Sequence, residues 1–413
     1  MAQINLTLTH EEVKQVLTGD RDEAMKFLLE RLLNEVMKAE SEEQLGAGKH
    51  ERTEERQDYR NGTRERELNT RIGTLTLRVP RHRNEPFHTM VFENYQRSEA
   101  SLIATLVQMV IMGVSSRKVE KVVMTLCGTS FSKSTVSELC KGLDKDIHLF
   151  KNRPLDIQEA PFLMLDATYF QVREDHRIRS KAFLIALAFK PDGRREVLGF
   201  DVFDAEENYS WETFLSGLKK RGLTDVKMVI SDAHKAIRKS VAAVYPEAAW
   251  QRCQTHFQRN ILDIGPNKYK AALKIELRRM FNANSIDEAR QIKEEIIAEY
   301  EDAAEKAMDI LEAGFEEAMT VMCLPSNLQI KLRTTNFLER LNRELKRRSD
   351  VIQIFPNPDS VLRLMGAVTM EVNNGYMLGN RLYAEKTLDK LRSDAFPKLR
   401  RIALKQLELI KTA

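Results

Sequence analysis

The fold of this chain is decided by the stretch Phe162-Leu163-Met164-Leu165-Asp166-Ala167-Thr168-Tyr169-Phe170. The run is short and apolar, and it lies between Pro161 and the charged Arg173-Glu174-Asp175, which is typical of a buried strand. An ionised carboxylate inside such a strand is costly unless a cation or a hydrogen-bond donor compensates it, and Asp is a poor strand former. Asp166 therefore either caps a turn at the strand end or belongs to a functional site.

A second strand repeats this pattern further along the chain. The β-rich run Val226-Lys227-Met228-Val229-Ile230-Ser231 ends in Asp232, and His234 begins what we expect to be the next helix. Two strands that each bring an Asp to one end of a sheet predict a metal site, because Mg²⁺ prefers carboxylate oxygens.

The segments around these runs predict an α/β fold. Polar turn residues, Lys190-Pro191-Asp192-Gly193, mark a hairpin between two of the strands. We expect antiparallel strands at 162–173, 181–190 and 196–204, then a helix at 210–222, a strand at 226–232, a helix at 233–245 and a short strand at 248–254. Three hairpin strands followed by alternating helices and strands indicate a ribonuclease-H-like catalytic core.

A third carboxylate comes from the helix predicted over 334–348. Leu338, Leu341 and Leu345 recur at helical spacing and should face the sheet. Glu339 lies on an adjacent polar face, and with two Asp residues upstream it is the better candidate for a metal-site carboxylate than for a solvated charge. Glu344 is the alternative, but five residues at roughly 100° each put it about 140° round the helix from Glu339.

The spacing of Cys253 and His256 suits half of a zinc site. A structural zinc site needs four ligands, and no second pair lies nearby in the sequence. We therefore favour a different interpretation, in which His256 hydrogen-bonds a carboxylate of the site or the scissile phosphate, and Cys253 fills apolar space as a small hydrophobic residue.

Charge is unevenly distributed along the chain. The formal net charge is +4, yet residues 1–50 carry ten acidic against six basic side chains, so the positive excess lies in the remainder. Residues 51–83 contain nine Arg and no Lys, and Arg is suited to bidentate phosphate contacts. The alternative is a solvated, salt-bridged surface, because six acids are interleaved up to Glu67. We favour DNA contact, with candidate residues Arg60, Arg64, Arg71, Arg78 and Arg81.

Two further basic segments are candidate DNA contacts. The helices predicted on either side of residues 127–132 resemble a helix-turn-helix, whose second helix would present Lys133, Ser134, Thr135 and Ser137 to a groove. Helix pairs joined by a Gly turn are common, so this signal is weak by itself. The 334–348 helix adds Arg343, Lys346 and Arg347.

These patterns divide the chain into six predicted segments. They are an acidic helical region at 1–50, an Arg-rich segment at 51–97, a helical DNA-binding domain at 98–155, the first part of the core at 156–260, an all-helical insertion at 261–328, and the completion of the core with C-terminal helices at 329–413. The four cysteines form no CxxC pair, and neither an export signal nor a long apolar stretch is present. We expect a reduced cytoplasmic protein, associated with the nucleoid and not with a membrane.

Several short motifs, in order, carry a family resemblance. They are Tyr59-Arg60-Asn61-Gly62, Gly73-Thr74-Leu75, Val79-Pro80-Arg81, Gly113-Val114-Ser115, Ser134-Thr135-Val136-Ser137, Leu165-Asp166-Ala167, Ser231-Asp232-Ala233-His234, Cys253-Gln254-Thr255-His256-Phe257, the 334–348 helix and Phe355-Pro356-Asn357. Together they make the chain similar to bacterial insertion-sequence transposases of the Mutator type. Two positions depart from the family pattern. Ala233 stands where Gly is usual, and residues 371–376 lack the usual Trp.

The resemblance implies an Asp-Asp-Glu catalytic triad at Asp166, Asp232 and Glu339, on a ribonuclease-H-like core. It also implies two Mg²⁺ ions, with Mn²⁺ as a substitute, that serve DNA strand cleavage and strand transfer. The expected partners are double-stranded DNA, both element ends with terminal inverted repeats and target DNA, and a second copy of the chain in a homodimer. Two alternatives stay open at this point: a non-catalytic DNA-binding protein derived from a transposase, and a nuclease or repair enzyme with the same core.

Overall fold

The computed structural model describes residues 8–18, 20–48, 51, 53, 56–92, 98, 100–127, 131–155 and 157–412 of the 413-residue chain. The chain divides into two compact units, Met1–Lys141 and Gly142–Ala413. This division is coarser than the six predicted segments, which stay a prediction.

The first unit combines helices with one β-hairpin. Its elements are α1 (His10–Thr18), α2 (Arg21–Leu45), β1 (Arg60–Thr70), β2 (Gly73–His82), α3 (Ala100–Ile111), α4 (Ser116–Cys127) and α5 (Lys133–Cys140). Thr9 and Glu12 cap α1 reciprocally, because the backbone N–H of each residue donates to the side chain of the other. Helices α3 to α5 enclose a small core of their own, which includes Leu106, Val119 and Val136.

The hairpin and α2 form the other core of this unit. Leu75 and Leu77 alternate along β2 and pack with Leu68 of β1 and Met37 of α2. The backbone N–H groups of Thr76 and Arg78 donate to side chains of α2, which therefore cover the outer edge of β2. Strand β1 was not predicted, because most of its positions carry charged or polar residues and the apolar alternation is absent.

The second unit is built on a mixed sheet. Its strands are β3 (Glu159–Glu174), β4 (Arg177–Phe189), β5 (Arg195–Phe203), β6 (Asp225–Ser231), β7 (Ala249–Arg252) and β8 (Ile354–Phe355). The order is β5-β4-β3-β6-β7, with β8 on the far part of β3. Strands β3, β4 and β5 pair antiparallel, while β6 and β7 add in parallel. The predicted α/β class is confirmed, and the five main strands lie close to their predicted positions.

Helices surround this sheet. They are α6 (Leu143–Asn152), α7 (Asn208–Lys220), α8 (Lys235–Val244), α9 (Gln254–Ile264), α10 (Lys270–Phe281), α11 (Ile286–Ala318), α12 (Ser326–Leu332), α13 (Asn336–Ser349), α14 (Pro358–Leu378), α15 (Glu385–Asp394) and α16 (Phe396–Thr412). Trp211 of α7 and Ile237 of α8 pack on Leu163 and Leu165 of β3, in one large core. Helices α9, α10 and α11 form a separate core around Phe257 and Leu311.

The predicted hairpin turn is confirmed in detail. Gly193 has a φ of +80°, and its N–H donates to the carbonyl of Lys190 over 2.8 Å. A Cβ at this position would collide with the backbone of Tyr383, so both the conformation and the close approach require glycine. Within the described part of the chain, no helix has the length and apolar character needed to cross a membrane.

Candidate active site

Strand register brings Asp166 and Asp232 together. Met164 of β3 pairs in parallel with Ile230 of β6, so the residues two positions further on, Asp166 and Asp232, lie side by side on the same face. Adjacent strands are about 4.8 Å apart. Both side chains are half-buried, at the point where β6 ends while β3 continues.

Hydrogen bonds fix both carboxylates. Oδ1 of Asp166 accepts from the N–H of Ala167 over 2.9 Å, and its Oδ2 accepts from Nδ2 of Asn342 over 2.8 Å. Oδ1 of Asp232 accepts a weaker bond of 3.3 Å from the N–H of His234, at the start of α8. The amide of Asn342 therefore ties α13 directly to the carboxylate on β3.

The environment of Asp166 opposes its ionisation. Burial is the main cause, and the neighbouring charge of Asp232 adds to it, so the pKa of Asp166 is raised to about 7. The N–H of Ala167 and the cationic ring of His256 oppose this effect in part. Two close carboxylates that resist joint ionisation are the arrangement expected where a cation is to be bound.

A pH effect on stability follows for the metal-free protein. Since the pKa of Asp166 is higher in the folded than in the unfolded chain, its contribution to the free energy of unfolding is fully present below about pH 4 and is lost as the pH rises through about 7. The advantage of wild type over Asp166→Asn should therefore shrink between pH 4 and pH 8, as measured by denaturant unfolding in a chelator.

The exposed turn residue Asp175 provides a matched control. The difference between wild type and Asp175→Asn over the same range shows the change that an exposed carboxylate gives. A difference for Asp166→Asn that does not vary with pH would contradict the raised pKa.

Helix α13 places Glu339 at this same edge. Leu338, Leu341 and Leu345 are fully buried, as predicted from their spacing. Oε1 of Glu339 lies 4.0 Å from Nε2 of His256, and this oxygen is buried without a hydrogen-bond partner. Asn342, on the same flank of the helix, leaves its Oδ1 unpartnered too. Carboxylate and amide oxygens that are buried without a hydrogen-bond partner are the kinds of ligand that a hard cation takes.

Glu344, the alternative to Glu339 as the third carboxylate, binds two arginines of its own helix. It accepts hydrogen bonds from Arg347 at 2.6 and 2.9 Å and from the buried Arg348 at 2.7 Å. These partners lower the pKa of Glu344 to about 2, the bond from Arg347 being the largest cause. This carboxylate stabilises the second half of α13.

Cys253 and His256 begin α9 next to the same carboxylates. The N–H of Cys253 donates to the carbonyl of Ser231 over 2.7 Å, and the N–H of Gln254 donates to the carbonyl of Arg333 over 2.9 Å. These two bonds bind the start of α9 both to the end of β6 and to the loop before α13. One ligand atom from each of Cys253, His256 and Glu339 lies within 4.8 Å of the others.

His256 is held as a cation in this position. Its pKa is raised to about 9, first by the Cys253 sulfur and then by Asp166 and Asp232, against the effect of burial. The ring Nδ1 of His256 is buried without a hydrogen bond of standard geometry. Burial raises the pKa of Cys253, but His256 outweighs it and lowers the pKa overall. Thr335 donates to the same sulfur over 3.5 Å.

A fourth carboxylate escaped the sequence interpretation. Glu206 follows β5, and its side chain is only 8% exposed. It accepts from the Tyr169 hydroxyl over 2.8 Å and from Nε1 of Trp211 over 3.1 Å, and His234 Nδ1 lies 3.6 Å away. Its charge also adds to the raised pKa of Asp166. The one signal in the sequence was the position of Glu206 just after β5. Because β5 runs parallel to β3, the carboxyl ends of the two strands lie at the same end of the sheet.

The arginines predicted to contact DNA in the first unit differ in the bonds that their side chains make. Arg64, Arg71, Arg78 and Arg81 are exposed. Arg60 instead donates to the carbonyls of Ala47 and Gly48 and pairs with Glu42 at 3.4 Å, so it stabilises the link between α2 and β1.

The short helix α5 begins where it was predicted. Ser132 caps it by accepting from the N–H of Thr135, and Ser134, Thr135 and Ser137 belong to its first turns. The side chain of Lys133 and residues 128–130, including the predicted break at Gly128, lie outside the described residues. On α13, Arg343 and Lys346 are exposed, while Arg347 pairs with Glu344.

Comparison with known proteins identifies the family. The family model described as "Transposase, Mutator family" matches residues 1–379. The chain therefore belongs to the Mutator family of transposases, and the resemblance predicted from its motifs is confirmed, together with a role in DNA transposition. The family favours this function over the non-catalytic alternative.

Curated relatives cover nearly the whole chain. It is 40% identical to the transposase for insertion sequence element IS256 in transposon Tn4001 of Staphylococcus aureus, over 93% of this chain and 99% of the relative. It is 40% identical to the transposase for insertion sequence element ISRM5 of Rhizobium meliloti, over 95% and 96%. A solved Drosophila P element transposase strand transfer complex aligns with a TM-score of 0.31 and 11% identity, over 77% of this chain and 93% of that one.

Proposed function

We propose that this transposase binds the terminal inverted repeats of its own element and cuts and joins DNA strands with a divalent-metal site formed by Asp166, Asp232 and Glu339. The observation that carries the proposal is the placement of all three carboxylates around His256, which lies 4.0 Å from Glu339 and whose pKa is raised by both Asp residues. The β3–β6 register sets the two Asp side by side, and Asn342 ties the helix of Glu339 to Asp166. A half-buried group of carboxylates at a sheet edge is accessible to a DNA strand.

The sheet supports a ribonuclease-H-like core for this site. Three antiparallel strands are followed by two parallel ones, and α7 and α8 connect them on one face. The all-helical stretch from α9 to α12 then precedes α13, which is consistent with a helical insertion before the core is completed.

The residues fit a divalent metal by their own chemistry. Asp166 is held partly protonated by burial and by Asp232, and Glu339 keeps a buried oxygen without a partner. We propose Asp166, Asp232 and Glu339 as the ligands, with Mg²⁺ as the ion and Mn²⁺ as its substitute. Two such ions, when bound, supply activation of an attacking oxygen and stabilisation of the leaving oxygen.

The remaining groups position these ligands. Asn342 and the N–H of Ala167 hold the two oxygens of Asp166, and the N–H of His234 holds Asp232. His256 adds a positive charge next to Glu339, where it can hydrogen-bond a carboxylate or a phosphate oxygen of the substrate. On this basis water attack frees a 3′-OH at the element end, and that 3′-OH attacks a phosphodiester of the target.

A cleavage assay tests the proposal. The purified chain is incubated with Mg²⁺ and DNA that carries the inverted repeats flanking its reading frame. We expect nicks that leave a 3′-OH at the element ends, followed by strand transfer, and no cutting of random ends. Cutting of branched or random DNA with no preference for the repeats would favour the nuclease interpretation instead.

The basic surfaces of the first unit predict how the ends are bound. Arg64→Gln and Arg81→Gln should weaken binding to repeat and random DNA alike and reduce the slope of log affinity against log salt by about one each. Changes at Ser134 and Ser137 should instead reduce the preference for the repeat. Fluorescence anisotropy over a salt series measures both.

Arg60 serves as a comparison for the other arginine variants, because its side chain is hydrogen-bonded within the protein. Because it binds backbone carbonyls, Arg60→Gln should lower the thermal midpoint more than it changes the salt slope. An equal loss on repeat and random DNA for the α5 variants would contradict the helix-turn-helix interpretation.

We also propose a homodimer on DNA, which the stoichiometry of the complex tests.

A further inference from the structure

Arg195, at the start of β5, contacts two aromatic rings. Its guanidinium carbon is 4.6 Å from the ring centroid of Phe337 on α13 and 4.8 Å from that of Tyr376 on α14. The Tyr376 hydroxyl donates to the carbonyl of Phe337 over 3.4 Å, and Phe337 also contacts Phe189 edge-on. Cation–π contacts with both rings restrict the orientation of the guanidinium group.

The charge of Arg195 is not balanced by a carboxylate within the described part of the chain. Among the residues that the structure describes, none forms an ion pair or a hydrogen bond with the side chain of Arg195 or with that of the exposed Arg340. Burial lowers the pKa of Arg195; Tyr376 opposes this, and the charge of Arg340 adds to it. Two neighbouring guanidinium groups, one half-buried and both without a carboxylate, leave an uncompensated positive charge that an anion would neutralise.

The pair lies on the flank of α13 away from the carboxylates. At about 100° per residue, Phe337 and Arg340 fall on the opposite side of the buried leucine stripe from Glu339 and Asn342. The contacts agree, because Asn342 reaches Asp166 while Phe337 reaches β5. Asn373 of α14 further accepts from the N–H of Val197 over 2.7 Å, which fixes α14 to β5 beside the pair.

We propose that Arg195 and Arg340 form a phosphate-binding site for the DNA backbone, on the flank of α13 that faces away from the proposed metal-site carboxylates. The aromatic rings orient Arg195, and the exposed Arg340 completes the contact from the solvent side. With a helix diameter of about 10 Å and about 3.4 Å per nucleotide along a strand, the contacted phosphate lies roughly three nucleotides from the reacting one. This inference rests on the proposed DNA-cleaving function and assigns a backbone contact to it.

DNA binding without divalent metal tests the site, so that cleavage does not interfere. Arg195→Gln and Arg340→Gln should each reduce the salt slope by about 0.9, which weakens binding about eightfold at 0.1 M relative to 1 M salt. Repeat and random DNA should be affected alike. Arg401→Gln is the matched control, since Arg401 is an exposed arginine of α16, which packs on β6 and β7 and not on β5. It should leave the slope unchanged.

A chemical probe locates the contact. A neutral methylphosphonate placed at single positions should weaken wild-type binding about three nucleotides from the cut, and it should weaken binding less in Arg340→Gln than in wild type. Arg195→Lys keeps the charge but loses the planar stacking, so we expect it to restore the salt slope only in part.

Several outcomes would overturn the inference. An unchanged slope in both glutamine variants would do so, as would an equal loss at every salt concentration, which would indicate a structural role. Thermal midpoints show whether each variant folds. If Arg195→Gln does not fold, Arg340→Gln still tests the inference, because Arg340 is exposed. Pyrophosphate that stabilises wild type but not Arg195→Gln, with DNA slopes unchanged, would assign the site to small phosphates. If wild type cleaves element ends but the glutamine variants have the same salt slope as wild type, this inference alone is wrong. If wild type neither binds nor cleaves element ends, the proposed function is wrong as well.

Discussion

Asp166→Asn, Asp232→Asn and Glu339→Gln should each lower strand cleavage by about a thousandfold or more, which corresponds to ~4 kcal/mol of transition-state stabilisation. Each change removes a charge from the proposed metal site while it nearly preserves the size of the side chain. Binding of element ends should persist, because the predicted basic contact surfaces do not involve these carboxylates. Gel-based cleavage and anisotropy on the same DNA separate the two effects.

Glu344→Gln discriminates between the two acids of α13. Because Glu344 binds Arg347 and the buried Arg348, its loss should lower the thermal midpoint and leave catalysis per folded molecule nearly intact. Asp350→Asn, at the exposed end of the same helix, is a neutral control. Normal cleavage by Glu339→Gln together with an inactive but folded Glu344→Gln would show that the assignment of the third carboxylate is wrong.

His256→Ala should reduce cleavage about a hundredfold or more while the protein still folds and binds element ends. The ring is a cation at neutral pH, 4.0 Å from Glu339 and under the influence of Asp166 and Asp232. Its removal takes away a positive charge that acts on Glu339, Asp166 and Asp232, and it deletes a donor to the carboxylates or the scissile phosphate. His256→Gln keeps a hydrogen-bonding group without the charge and should restore activity only in part.

Cys253→Ala is the companion variant and should keep most of the activity. The thiol is buried and accepts a long hydrogen bond from Thr335, so alanine should cost little beyond a small loss of packing. Metal analysis decides against the zinc alternative if the purified protein contains no stoichiometric zinc. One tightly bound zinc per chain, lost in both variants, would instead assign Cys253, His256 and Glu339 as its ligands.

Local patterns in the sequence determined much of this architecture. Strands β3 and β6 follow from short apolar runs, the turn at Gly193 from its required backbone conformation, and the buried leucines of α13 from helical spacing. Each of these signals depends on residues only a few positions apart. The ordered motifs then predicted the family and the three candidate carboxylates.

Only the tertiary structure decided which side chains meet. The register of β3 with β6, the bond from Asn342 to Asp166 and the engagement of Glu344 by two arginines join or separate residues by packing, which a one-dimensional pattern does not encode. Strand β1 escaped prediction because its partner and α2 impose its conformation against a polar sequence. Glu206 and the rings around Arg195 were also not predicted, because their partners come from distant parts of the chain. Burial strengthens these contacts, since they are less screened by water.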